Sequence, residues 1–201
     1  AAKPVPVEVE VSGTPASGFL ATGEVQCDPA MVRVAGSASA LNNISKIVIP
    51  GEMMDLDGAE GDVINVINIR ELLPDGIRLA DSGDFNGRVT VTAFVEPEAE
   101  RTLQIPAGNV AVVNIPEFLT ASRSETEEYY EVKISGLDAV VSPADQNAIM
   151  GTIDVQAWME EEGISELIPG AYQIPIHFEI SKEIKIDGEI TARVVFTRAE
   201  E

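Results

Sequence analysis

Cysteine, histidine and tryptophan each occur once in these 201 residues, as Cys27, His177 and Trp158. A single cysteine excludes an intrachain disulfide, but it leaves the compartment open, because oxidising compartments permit disulfides without requiring them. A single histidine means that any Ser-His-Asp or Cys-His device has to use His177. One cysteine and one histidine leave a tetrahedral zinc site two ligands short, so carboxylates from elsewhere would have to complete it. Cations are scarce too. Thirteen Lys and Arg face 34 Asp and Glu, a formal charge of −21. Such a surface repels nucleic-acid phosphates and anionic lipid head groups, since binding either needs clustered cations. Solubility is the plain role of this charge, with a cationic protein patch or divalent ions as the partners it still permits. No apolar run reaches the roughly 18 residues that a bilayer span needs, and no signal peptide is visible. The chain opens at Ala1-Ala2-Lys3-Pro4 and enters a strand pattern at once, as an excised soluble region would. A membrane anchor is then expected outside these residues.

Apolar residues make up 45% of the chain, which argues against disorder. Twelve prolines and sixteen glycines imply many turns and few long helices. Strand alternation dominates. Val5, Val7, Val9 and Val11 share one face, with Glu8, Glu10 and Ser12 opposite. Val32 and Val34, Val63 to Ile69, and Val89 to Val95 continue the pattern in the first half. Val132 and Ile134, Ile174 to Ile180, and Ile190 to Phe196 continue it in the second. Only two short stretches read as helical, Ser39 to Ile47 and Pro143 to Ile149, each about two turns.

The two halves read as copies of one unit. Met31-Val32-Arg33-Val34-Ala35-Gly36 matches Glu131-Val132-Lys133-Ile134-Ser135-Gly136, and Phe19-Leu20 matches Phe118-Leu119. Gly87-Arg88-Val89-Thr90-Val91 matches Gly188-Glu189-Ile190-Thr191-Ala192. The order is kept and the offset drifts only from 99 (Phe19 to Phe118) to 102 (Ile47 to Ile149). The polar, proline-containing Glu96-Pro97-Glu98-Ala99-Glu100 suits a linker. The expected domains are therefore residues 1–98 and 99–201.

The residues of the first half resemble the YbbR-like domain family. They carry Val5-Pro6-Val7, then Gly13-Thr14-Pro15-Ala16-Ser17-Gly18-Phe19, then Asp28-Pro29 and Val32-Arg33-Val34-Ala35-Gly36. Leu41, Ile44 and Ile47 follow, and Pro74-Asp75-Gly76-Ile77 is similar to the family's turn before its last strand. The second half departs at its start. Leu103-Gln104-Ile105-Pro106 is a loose version of the opening strand, and Glu117 stands where the family has glycine before Phe118. Each element is weak alone, and their order, found twice, carries the weight. The resemblance implies an all-β fold of two tandem elongated domains with long twisted hairpins and at most short helices. That fold is similar to the C-terminal domain of a ribosomal protein that accompanies 5S rRNA. It further implies a bacterial protein anchored by one transmembrane helix, with its domains outside the membrane. In many Gram-positive bacteria the family regulates a membrane-bound diadenylate cyclase, and hence cyclic di-AMP. The family supplies no catalytic residues to carry over.

The chemistry-bearing residues fit that reading. His177 falls on the polar face of a strand, between Ile176 and Phe178, where an exposed histidine is the simplest account. Cys27 precedes Asp28-Pro29 in a turn and reads as a small half-buried thiol, since a nucleophile needs a cationic setting. Asp55-Leu56-Asp57-Gly58 resembles the start of a calcium loop, but position twelve is Val66 where a bidentate Glu is required. It reads as a strand-end turn. The acidic runs Glu125-Thr126-Glu127-Glu128 and Glu160-Glu161-Glu162 read as solvated loops or strand ends. Paired carboxylates without aromatic platforms do not make a sugar site, and Trp158 with Met159 reads as packing at a domain end. Of Tyr129 and Tyr130 one ring should face inward and one outward, the outward one being a candidate contact residue. Phosphate-cradling glycine loops are absent. Asn43-Ile44-Ser45 is a glycosylation sequon only in form.

No catalytic, cofactor-binding or metal-binding residue and no cofactor is therefore assigned. The expected function is a non-enzymatic, extracytoplasmic binding or regulatory module. A spacer or adhesion domain is the alternative. An rRNA-binding role rests on the fold similarity alone and the charge opposes it, and a hydrolase lacks its constellation.

Overall fold

The computed structural model describes residues 1–80, 83–123 and 127–200. They form two compact units, Ala1–Glu98 and Ala99–Glu201. In the first, β1 (Ala2–Val9), β2 (Phe19–Asp28) and β3 (Met31–Gly36) precede α1 (Ala38–Asn43) and β4 (Ile47–Ile49). β5 (Val63–Asn68), β6 (Ile77–Leu79) and β7 (Arg88–Pro97) complete it. The strands lie in two sheets of order β4-β1-β3-β6 and β2-β7-β5. Strand β1 runs antiparallel to β3 and parallel to β4. The alternation read from the sequence sets the core: Val5, Val7, Val32 and Val34 of one sheet join Val89, Val91, Ala93 and Val95 of the other in a single buried cluster. Val11 lies past the end of β1 and is exposed.

The second unit repeats this plan. It comprises β8 (Ala99–Pro106), β9 (Val110–Val113), β10 (Leu119–Arg123), β11 (Tyr129–Gly136), α2 (Asp138–Val141) and β12 (Gly151–Asp154). Then follow α3 (Val155–Glu162), β13 (Gly170–Pro175), β14 (His177–Phe178), β15 (Lys185–Ile186) and β16 (Thr191–Arg198). β8 and β9 do what β1 does alone: β8 pairs antiparallel with β11, and β9 pairs parallel with β12. The sheet β10-β16-β13 has the order of β2-β7-β5. Leu103, Ile105, Val132, Ile134, Val194 and Phe196 anchor its core. Among the described residues no two strands consecutive in the chain pair with each other. The fold is all-β with short helices, as expected.

Several local expectations differ. The first short helix is Ala38–Asn43 rather than 39–47, with Ile47 opening β4, and the expected linker 96–100 is strand except for Glu98. The second short helix is Asp138–Val141, ahead of Pro143, rather than 143–149. Pro143 has no N–H to carry the helical ladder onward, so the turn closes at Ser142, whose own N–H still bonds the Asp138 carbonyl. The stripe from Ile174 to Ile180 is two strands rather than one. It breaks at Ile176, whose N–H is taken by the Ile190 carbonyl at 2.8 Å, so β13 pairs with β16 and β14 with β12. Glu160, Glu161 and Glu162 are the last turn of α3, not a loop or a strand end. Asp154 caps that helix by accepting from Ala157 N at 3.0 Å, and Gly163 ends it at φ 69°.

Candidate functional site

In the first unit, the turn at Asp55-Leu56-Asp57-Gly58 is held by the segment 12–14 alongside it. Leu56 N donates to the Ser12 carbonyl at 2.7 Å and Gly58 N to the Thr14 carbonyl at 2.9 Å. Asp55 Oδ1 accepts from Asp57 N at 2.9 Å, and Leu56 is buried. One carboxylate is thus engaged in its own turn. Among the described residues no group of three or more Asp, Glu, His or Cys side chains is placed to hold a metal ion. Cys27 is half-buried on β2, opposite Val91 of β7. Burial pushes its thiol pKa up, which favours the unreactive protonated form. Asn43 is exposed at the end of α1.

The second unit holds His177 on β14, exposed and opposite Thr152. His177 borders an open groove of about 980 Å³. Its floor includes Trp158, Ile180, Ile186 and Ile190, all partly buried against the core. Its rim mixes signs, with Glu161 and Glu189 on one hand and Lys182 on the other. Trp158 sits edge-to-face on Tyr172 at 5.5 Å, and Tyr172 on Phe196 at 5.9 Å, so the ring is anchored to the core. Asp154, also at the groove, is occupied: beyond the α3 cap, its Oδ2 accepts from Asn114 Nδ2 at 3.0 Å. Tyr130 is buried and Tyr129 exposed, the alternation of a strand. Glu127 and Glu128 are exposed; Glu125 and Thr126 lie outside the described residues.

The structure therefore places Cys27 and His177 in different units. Among the described residues no Asp, Glu, His, Lys or Arg side chain is buried. An apolar floor with an exposed charged rim offers contact area and orientation. The sequence pattern puts Ile180 and Ile190 at the ends of two strand stripes and does not single out Ile186; only the fold gathers the three.

Residues 5–93, most of the first unit, match the family model described as YbbR-like protein. The resemblance drawn from the Val-Pro-Val strand, the Gly-Thr-Pro turn and the Val-x-Val-x-Gly strand is thus borne out there. No curated protein matches the chain. A Streptococcus thermophilus protein solved in solution is 23% identical, covering 48% of this chain and 85% of its own, with a TM-score of 0.37. The YbbR-like domain of a Listeria monocytogenes protein is 17% identical, covering 51% and 97%, at 0.36. A YbbR-like protein from Streptococcus pneumoniae is 13% identical, covering 99% and 96%, at 0.33.

Proposed function

From the premise that the first unit of this chain is a YbbR-like domain, we propose that the 201 residues are two copies of that domain serving as a non-enzymatic regulatory module. The module stands on the outer side of a bacterial cell membrane, on a protein held there by a transmembrane helix, and its partner is a membrane-bound diadenylate cyclase. The family match is the observation that carries this reading. It is supported by the repeated strand plan of the second unit and by chemistry-bearing side chains that are exposed or engaged in turns and caps. The charge of −21 supports a protein partner rather than nucleic acid.

Cellular cyclic di-AMP tests it. The membrane-anchored protein is expressed with its host's diadenylate cyclase, with and without residues 1–201. A changed cyclic di-AMP level at equal cyclase abundance is the expected result. An unchanged level would sink the regulatory role and leave the tandem units as a spacer.

A further inference from the structure

Strand β5 is an edge strand, bonded on one side to β7 alone. Its six residues, Val63-Ile64-Asn65-Val66-Ile67-Asn68, contain no charge, no proline and no glycine. The bond from Ile69 N to the Gly87 carbonyl at 3.0 Å fixes the parity of the ladder. Val63, Asn65 and Ile67 exchange bonds with β7, so the backbone groups of Ile64, Val66 and Asn68 point away from the sheet. Among the described residues no backbone group pairs with those of Ile64 or Val66 on that side. The side chains of Ile64 and Val66 are 62% and 56% exposed, beside Thr92 and Thr90 of β7. Natural edges are normally blunted by charge, proline, bulges or cover.

The second unit shows that blunting at the same place. Thr191 and Arg193 of β16 stand where Thr90 and Thr92 stand in β7. Opposite them on β13 are Pro175 and Gln173, the positions of Val66 and Ile64. Proline removes the outward donor there, Arg193 adds charge beside it, and Gln173 is bonded to Thr191 at 3.2 Å. One plan, repeated, is protected in one copy and open in the other.

We infer that β5 is a self-association edge, pairing antiparallel with β5 of a second copy of this chain. The occupant follows from the ends of the strand. Glu60 and Asp62 precede it, and Arg70 and Arg88 stand at its far end, with Glu71 beside Arg70 and an uncharged strand between the two ends. An antiparallel twofold brings the acidic end of each copy to the basic end of the other. A register that bonds the outward groups sets Ile64 against Val66 of the second copy and leaves the Glu60 and Asp62 end of each strand beside the Arg70 and Arg88 end of the other. Two apolar pairs then close over one another on the outer face.

Sedimentation equilibrium of the 201-residue chain, up to roughly 1 mM and at several ionic strengths, tests this. A concentration-dependent dimer is expected, tightening as salt screens the −21 on each chain. Val66→Pro copies Pro175 and deletes an N–H that the β5–β7 ladder does not use; Val66→Lys sets a charge against Ile64 of the other copy. Each is expected to raise the dissociation constant roughly tenfold or more with an unchanged circular dichroism spectrum. Gln173→Lys, at the same place in the second unit, is expected to leave it unchanged. A chain that stays monomeric overturns the inference and leaves the edge to a segment of another protein. A dimer indifferent to both Val66 variants, or equally lost in Gln173→Lys, overturns it as well.

Discussion

Gly13 shows how much a single position of the family pattern has to do. Its φ is 80°, a region that costs a side-chain-bearing residue. A Cβ there would also meet the Asp55 carboxylate, and the Asp57 nitrogen at 2.6 Å. The glycine of the Gly-Thr-Pro turn is therefore what lets segments 12–14 and 54–58 zip together over Met54 and Leu56. Gly13→Ala is expected to destabilise the first unit by about 2–3 kcal/mol, read as a lower urea midpoint. Cys27 makes a kinetic prediction. Its raised thiol pKa means less thiolate at neutral pH than a free cysteine has. Alkylation by iodoacetamide should be slower than for a free thiol at pH 7 and should accelerate only as the pH rises above the ordinary thiol range. A rate equal to that of free cysteine at pH 7 would contradict the burial argument. By contrast, the Lys46 Nζ to Glu8 Oε2 pair, at 2.7 Å, is exposed on both sides. The Glu8 hydrogen bond raises the Lys46 pKa, so the attraction is present at neutral pH and lost only as the pH climbs past the lysine range. Solvent screening nevertheless leaves it little weight, and Lys46→Met should not move the unfolding midpoint resolvably.

Among the elements, the strands were legible and the helix ends less so. β1, β3, β7, β11 and β16 follow from period-two alternation, because each buries one face against a second sheet. Helix α3 was legible in principle: Asp154 four residues before Trp158 and Gly163 after Glu162 are start and stop signals. They were masked by an acidic run that reads equally well as loop. The break at Ile176 was not legible, since Ile174, Ile176 and Phe178 keep strict alternation across it. Only the competing partners β16 and β12 decide where one strand ends. The groove was illegible for the same reason: its floor comes from positions gathered by three-dimensional pairing. Helix α2 illustrates a dependence that sequence hides. Its four residues end at carbonyls that need donors, and Arg101, forty positions earlier on β8, supplies them. Its Nη1 donates to the carbonyls of Val141, Ser142 and Ala144 at 3.4, 3.1 and 2.6 Å. Arg101→Ala is expected to cost the second unit about 1–2 kcal/mol in urea titration. Arg101→Lys should recover only part of it, because the shorter lysine side chain does not carry its ammonium as far as the position of Arg101 Nη1, from which all three contacts are made.

At the scale of the whole molecule, charge and topology act in the same direction on association. Every strand pairing among the described residues joins segments that are distant in the chain, which makes folding slow and leaves edges open for longer than in a hairpin protein. The charge of −21 offsets that hazard by mutual repulsion between chains. It does so only while the carboxylates are ionised. The repulsion vanishes near the sequence isoelectric point of about 4.2, where neutral proteins associate. Static light scattering from pH 7 downward should therefore stay low until roughly pH 5 and rise to a maximum near the isoelectric point. If the open edge of β5 is where the chains first meet, Val66→Lys should delay the rise and lower its height. It adds one positive charge and so moves the isoelectric point slightly upward, opposite to the delay expected from blocking the edge. A delay is thus attributable to the edge and not to net charge, whereas a rise at higher pH in the variant would show that bulk neutralisation alone governs association.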